Sequence, residues 1–144
     1  MTTFDLTEAV WGGGGVRSRF FRNENWEIEI GHNTEFGMER GEGRKSKIAI
    51  TEYKITRVLA TGRASVVECR LQTGRTHQIR VHMKHINHPI VGDQVYGSRR
   101  MEKGFPEFPR QALHAVRLEI PDVGVFEAPP PKDMNELIEN LSSL

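Results

Sequence analysis

Apolar and polar residues alternate in four separate stretches of this chain, and each stretch predicts a strand. Trp26, Ile28 and Ile30 alternate with Glu27 and Glu29. Ile48 and Ile50 lie on one phase, whereas Tyr53, Ile55 and Leu59 follow on the other, so a bulge is expected near Thr51 and Glu52. Ala60-Thr61-Gly62-Arg63 reads as a turn, and Val67, Cys69 and Leu71 alternate with Glu68 and Arg70 as the returning strand of a hairpin. Val116, Leu118 and Ile120 predict a further strand, with a short partner from Val123 to Glu127 across a Pro121-Asp122 turn.

Two stretches change to a helical period. Thr76 is placed to cap a helix running to about Ile86, with Ile79, Met83 and Ile86 on one face and His77, Arg80 and Lys84 on another. Asn87-His88-Pro89 stops it. After the stiff Pro129-Pro130-Pro131 linker, Asp133 and Glu136 form a capping pair for a closing helix with a Leu137, Ile138 and Leu141 stripe. Strands followed by scattered helices predict an α+β fold with a mostly antiparallel mixed sheet and a few helices.

Residues 1–24 stand apart as a divergent segment. Gly12 to Gly15 reads as a hinge, since no Gly-Lys-Ser/Thr follows it, and a loosely attached N-terminal stretch is expected. Residues 25–144 then form the one folded domain. At 37% hydrophobic and 27% charged residues, the 144-residue chain has the composition of a folded protein with a single core. No apolar run is long enough to cross a bilayer, and Met1 to Trp11 holds two acids and no base, unlike a signal peptide. One cysteine, Cys69, excludes an internal disulfide and a cysteine-rich zinc site, and the cytoplasm is the expected compartment.

The net charge of +1 hides an uneven distribution. Between residues 70 and 100, six basic residues (Arg70, Arg75, Arg80, Lys84, Arg99, Arg100) face one acid, Asp93, giving +5. Between residues 119 and 144, six acids against Lys132 give −5. A single basic working face, suited to nucleic acid, is expected.

The basic stretch contains the most specific motif, Leu71-Gln-Thr-Gly-Arg-Thr-His-Gln-Ile-Arg-Val-His82. His88-Pro-Ile-Val-Gly-Asp-Gln-Val-Tyr-Gly97, Arg110-Gln-Ala-Leu-His-Ala115 and Ala128-Pro129 with Asp133 follow in order. From about Trp26 onward these four pieces resemble the C-terminal half of the catalytic domain of RluA-type RNA pseudouridine synthases. The resemblance implies isomerisation of uridine to pseudouridine in ribosomal or transfer RNA. The N-glycosidic bond breaks, the uracil turns, and a carbon–carbon bond forms at the same ribose carbon. No cofactor and no metal takes part. The uracil must leave its stack, so base flipping belongs to the mechanism.

By the same resemblance, Arg80 is the arginine that pairs with a catalytic aspartate, and Ile79, Leu113 and His114 surround the uracil. A guanidinium can hold a carboxylate by two points and keep it ionised in a partly desolvated pocket. Arg75, Thr76, His77 and Gln78, at the turn into the helix, make a phosphate seat, and Lys84, Arg99 and Arg100 add affinity for phosphates. His82, His85 and His88 lack neighbouring acids or cysteines and do not read as metal ligands. Asp93 and Tyr96 read as residues that fix their loop.

The chain departs from the family in one respect. Its four aspartates are Asp5, Asp93, Asp122 and Asp133, and none stands in the His-Arg-Leu-Asp motif that carries the catalytic carboxylate. The expectation is therefore a truncated or split synthase, inactive alone. The missing half would come from a partner chain, or the chain would homodimerise through its uncovered sheet. The alternative is a non-catalytic RNA-binding module of the same descent.

Overall fold

The computed structural model describes residues 4–12, 32–33, 48–97 and 104–144. The expected strand from Trp26 to Ile30, most of the glycine run, and Arg99 and Arg100 lie outside them.

Seven strands and two helices are present among the described residues. They are β1 (Phe4–Gly12), β2 (His32–Asn33), β3 (Ile48–Ala49), β4 (Thr51–Leu59), β5 (Ala64–Leu71), α1 (Gln78–His85), β6 (Leu113–Ile120), β7 (Gly124–Glu127) and α2 (Lys132–Ser142). Five strands form one sheet in the order β4-β5-β1-β6-β7, and every pairing is antiparallel. Strands β2 and β3 form a separate two-stranded ribbon. The α+β class and the β4–β5 and β6–β7 hairpins stand as the alternation predicts.

The largest departure is β1. A loosely attached segment is expected over residues 1–24, yet residues 4–12 form the central strand, paired with β5 on one side and β6 on the other. Thr7, Ala9 and Val10 are buried there at 5%, 0% and 0% exposure. Small side chains satisfy a crowded central position but give little hydrophobic contrast along the sequence, so the strand is faint to pattern reading.

The sheet's register sorts its two faces. Ile55, Val67, Ala9 and Leu113 lie opposite one another across four strands and form an apolar row. One residue along, Lys54, Glu68, Glu8 and His114 form a charged row on the other face. Neighbouring residues on a strand point to opposite faces, which is why one step converts an apolar row to a charged one. Lys54 bonds Glu68 at 3.0 Å. Glu8, opposite Glu68, has its pKa raised, by partial burial first and then by the Glu68 charge, with His114 opposing.

Three further expectations are corrected. The bulge lies between Ile55 and Arg57 rather than near Thr51. Thr51 is buried and faces the same way as Tyr53 and Ile55, because its hydroxyl has polar partners there, so a phase count that treats it as polar misplaces the slip. Helix α1 begins at Gln78, with His77 as its N-cap and no side-chain cap, so Thr76 does not cap it. Helix α2 is preceded by Pro131 rather than capped by Asp133, whose carboxylate instead takes Arg110 at 2.9 and 3.0 Å. Met134, Leu137, Ile138 and Leu141 of α2 join the core with Ile79 and Met83 of α1.

Candidate active site

The segment after α1 fixes the site. Val91 joins the end of β1 to the start of β6: its amide donates to the Val10 carbonyl and its own carbonyl accepts from the Ala112 amide, while the Val10 amide donates to the Ala112 carbonyl. Gly92 follows at φ +78°, and a Cβ there would stand 2.0 Å from the Arg110 carbonyl oxygen. Only glycine fits this crossing. A Cβ at Gly97 would stand 2.2 Å from the Asp93 carbonyl oxygen. Between these two glycines the loop turns tightly, and the Asp93 carboxylate accepts the Val95 and Tyr96 amides at 3.0 Å each.

That carboxylate meets Arg80. Nε donates to Oδ2 and Nη2 donates to Oδ1, both at 2.8 Å. The Asp93 side chain is 0% exposed and the Arg80 side chain 12%. Burial alone would push the Asp93 pKa up, but the Arg80 bonds and the Tyr96 and Val95 amides hold it below the usual carboxylate range. The hydrogen bond to Asp93 raises the arginine's own pKa, so both partners are charged at neutral pH. The Tyr96 ring lies under the guanidinium at 5.0 Å, and its hydroxyl is 3.0 Å from His77 Nδ1. Arg80 is therefore neither in bulk solvent nor awaiting its first acid: its own chain supplies Asp93.

A second network anchors the start of α1. Gln78 Nε2 donates to the Ile50 carbonyl and to Thr51 Oγ1, each at 2.9 Å, and its Oε1 accepts from Thr73 Oγ1 and the Arg75 amide. Thr51 Oγ1 lies 2.8 Å from Nδ1 of fully buried His82. These bonds tie the Thr73–His77 turn to the first residues of β4.

The placement of the expected site residues follows. Arg75, Thr76, His77 and Lys84 are exposed. His77 sits in the left-handed region at φ 54°, fixed by Tyr96. Gln78, expected at the phosphate seat, is 4% exposed, and its side-chain amide is engaged inside the protein. Ile79 is a core residue at 5% exposure. Leu113 and His114 do not line one pocket together, because Leu113 belongs to the apolar row and His114 to the charged one. The His114 Nε2 lies 3.0 Å from the Ala128 carbonyl. Asp93, expected to fix its loop, accepts the Val95 and Tyr96 amides; its pairing with Arg80 is what sequence reading passes over. The available signal is its isolation: one acid among six bases, thirteen residues after the arginine it pairs. Among the described residues no group of three His, Cys, Asp or Glu is placed to hold a metal, and no helix is long and apolar enough to cross a membrane.

A five-stranded antiparallel sheet, with Arg80 on the helix after β5 in a bidentate pair with Asp93, makes an α+β domain. A family model described as RNA pseudouridylate synthase matches residues 17–85. Ribosomal large subunit pseudouridine synthase D of Escherichia coli is 49% identical over 107 residues, covering 65% of this chain and 32% of the relative. An uncharacterized RNA pseudouridine synthase, YlyB, of Bacillus subtilis is 47% identical over 103 residues, covering 68% and 32%. The solved structure of human RNA pseudouridylate synthase domain containing 1 aligns with TM-score 0.62 at 28% identity, over 98% of this chain and 60% of that one. Human RNA pseudouridylate synthase domain containing 4, at 17% identity and TM-score 0.69, shares the fold. The chain belongs to the RNA pseudouridine synthase family, in its RluA-type branch. It spans about a third of the length of the curated relatives it matches.

Proposed function

We propose that this chain forms the arginine-bearing part of an enzyme that isomerises uridine to pseudouridine in RNA, ribosomal RNA being the substrate class its relatives' names suggest. The supporting observation is the Arg80 site: a charged guanidinium, 12% exposed, held rigidly on a helix whose flanking residues Arg75, His77 and Lys84 are exposed cations or donors. A flipped base carries its phosphates with it, and exposed cations beside the site suit that load. Arg80 holds the catalytic carboxylate in its ionised form, and Leu113 contributes apolar surface against the uracil. These 144 residues hold no His-Arg-Leu-Asp segment, so the carboxylate comes from outside them, from a chain or segment packed beside Arg80. No metal or cofactor enters this scheme, since a carboxylate, a ribose carbon and a turned uracil suffice for it.

Tritium release from RNA labelled at uridine C5 tests the reading. The isolated chain retains RNA on a filter at low salt and releases no tritium. Release by the isolated chain that disappears in Arg80→Ala would overturn the need for an outside carboxylate. Failure to retain any RNA at low salt would overturn the assignment of an RNA-facing site.

A further inference from the structure

Arg80 has five N–H donors in a rigid plane, and the pair with Asp93 engages only one edge of it. Nε and Nη2 are taken at 2.8 Å. Among the described residues Nη1 has no hydrogen-bond partner. Asp93 cannot yield its edge readily. Its side chain is 0% exposed, it also accepts two backbone amides, and Gly92 and Gly97 pin its loop where no larger residue fits. The Tyr96 ring centroid lies 5.0 Å from the guanidinium carbon, within cation–π range, and this contact favours the group's present placement. Tyr96 is itself held, since its hydroxyl lies 3.0 Å from Nδ1 of His77 and the two rings meet edge to face at 5.7 Å.

We propose that Asp93 and Tyr96 are positioning residues that make Arg80 a one-edged donor, with Nη1 reserved for a second carboxylate brought to the site. The proposal rests on the reading of Arg80 as a carboxylate-holding group. It adds the geometry: the arriving acid is met end-on through Nη1, not side-on through the edge that Asp93 occupies. A bare arginine can turn either edge to an acid, and each orientation places the acid differently. With one edge closed, a single placement remains before the acid arrives. That is preorganisation, and it needs no movement of Arg80 when the site is completed.

The test uses the whole chain labelled with ¹⁵N, the Arg80 side-chain signals being identified by their loss in Arg80→Lys. Sodium acetate serves as the stand-in carboxylate, at mildly acidic pH where guanidinium protons exchange slowly. The wild type is expected to show a slowly exchanging Arg80 Nε–H that acetate leaves in place, and one Nη signal that acetate shifts saturably. Tyr96→Phe keeps the ring and keeps this response. Asp93→Asn takes the carboxylate from the Nε edge, so that acetate moves Nε–H and Nη together. Acetate that shifts Nε–H in the wild type, or that shifts no Arg80 signal at all, overturns the proposal. So does a folded Asp93→Asn that behaves as the wild type. Where Asp93→Asn fails to fold, the titrations of wild type and Tyr96→Phe decide. RNA is absent throughout, so a failed RNA-retention assay beside a one-edged acetate response sinks the proposed function and leaves this geometry standing.

Discussion

Replacing Asp93 with asparagine removes one charge from the most enclosed ion pair described in the molecule and changes the shape of the loop very little. The Arg80 guanidinium, 12% exposed, then keeps its charge without its partner. Removing one member of a buried pair costs roughly 3–5 kcal/mol, because the other charge stays behind. Asparagine retains one oxygen that can still accept the Val95 and Tyr96 amides, and the edge of Arg80 reaches some water, so the lower end, about 3 kcal/mol, is expected. For a domain of this size that corresponds to a melting-point drop of about 6–12 °C. Urea denaturation followed by tryptophan fluorescence, with a thermal melt in parallel, measures both. The dependence on pH supplies a second check. The folded carboxylate lies below its ordinary value, held there by Arg80 and the two amides against the upward push of burial. Its contribution is therefore fully present above the ordinary value of about 3.9 and is lost as pH falls below that through the folded pKa. The gap between wild type and Asp93→Asn is expected to stay constant from neutral pH down to that point and to narrow below it. A gap under about 1 kcal/mol at pH 7, the level of an exposed pair, refutes the reasoning.

Other outcomes follow from the same coordinates. Gly92→Ala sets a Cβ 2.0 Å from the Arg110 carbonyl in a left-handed conformation, and a loss on the order of 4 kcal/mol or failure to fold is expected, read by expression and denaturation. Glu8→Gln relieves a half-buried carboxylate facing Glu68; with a raised folded pKa the ionised form opposes folding, so the variant gains about 0.5 kcal/mol at pH 7 and the gain fades as pH falls through that pKa. Cys69, buried with its pKa pushed up to about 12, is expected to resist a thiol reagent until the protein is unfolded; labelling in native buffer contradicts its place in the core. Lys84→Ala weakens RNA retention evenly across sequences and lowers the slope of log affinity against log salt by about 1, and an unchanged slope removes Lys84 from the RNA face. The edge strand β7 exposes Val125 at 49% and Phe126 at 53%, so sedimentation of the isolated chain is expected to show association that rises with concentration, against which a monodisperse monomer would count.

What could be read from the chain, and what could not, divides along physical lines. Strands β4, β5 and β6 follow from the alternation of apolar and polar residues, whereas β7, exposed along its whole length, follows from the Pro121-Asp122 turn that returns it to β6. The first helix follows from the spacing of Ile79, Met83 and Ile86. Strand β1 escapes because Thr7 and Ala9 are small, Glu8 sits in a charged row, and its partners lie about sixty and one hundred residues away. Gln78 reads as an RNA-facing residue, and His82 carries no signal of burial, yet both are buried, because Ile50 and Thr51 bond them across about thirty residues of sequence. Arg80 is legible through its motif. Its pairing with Asp93 is not, since nothing in the spacing of the two residues says that a loop will return to the helix. Leu113 and His114 are separated by strand alternation alone, and this goes unread because the apolar pattern starts the strand at Val116, whereas β6 begins at Leu113.

The central claim is that Arg80, prearranged by its own chain, serves uridine isomerisation once a catalytic carboxylate is supplied. The direct measurement is tritium release from C5-labelled RNA by a chimaera in which these residues replace the matching segment of a longer relative that retains its His-Arg-Leu-Asp segment. The chimaera is expected to turn over, and Arg80→Ala within it to abolish release while RNA retention persists. Turnover unaffected by Arg80→Ala, in a chimaera shown to be folded, would contradict the account.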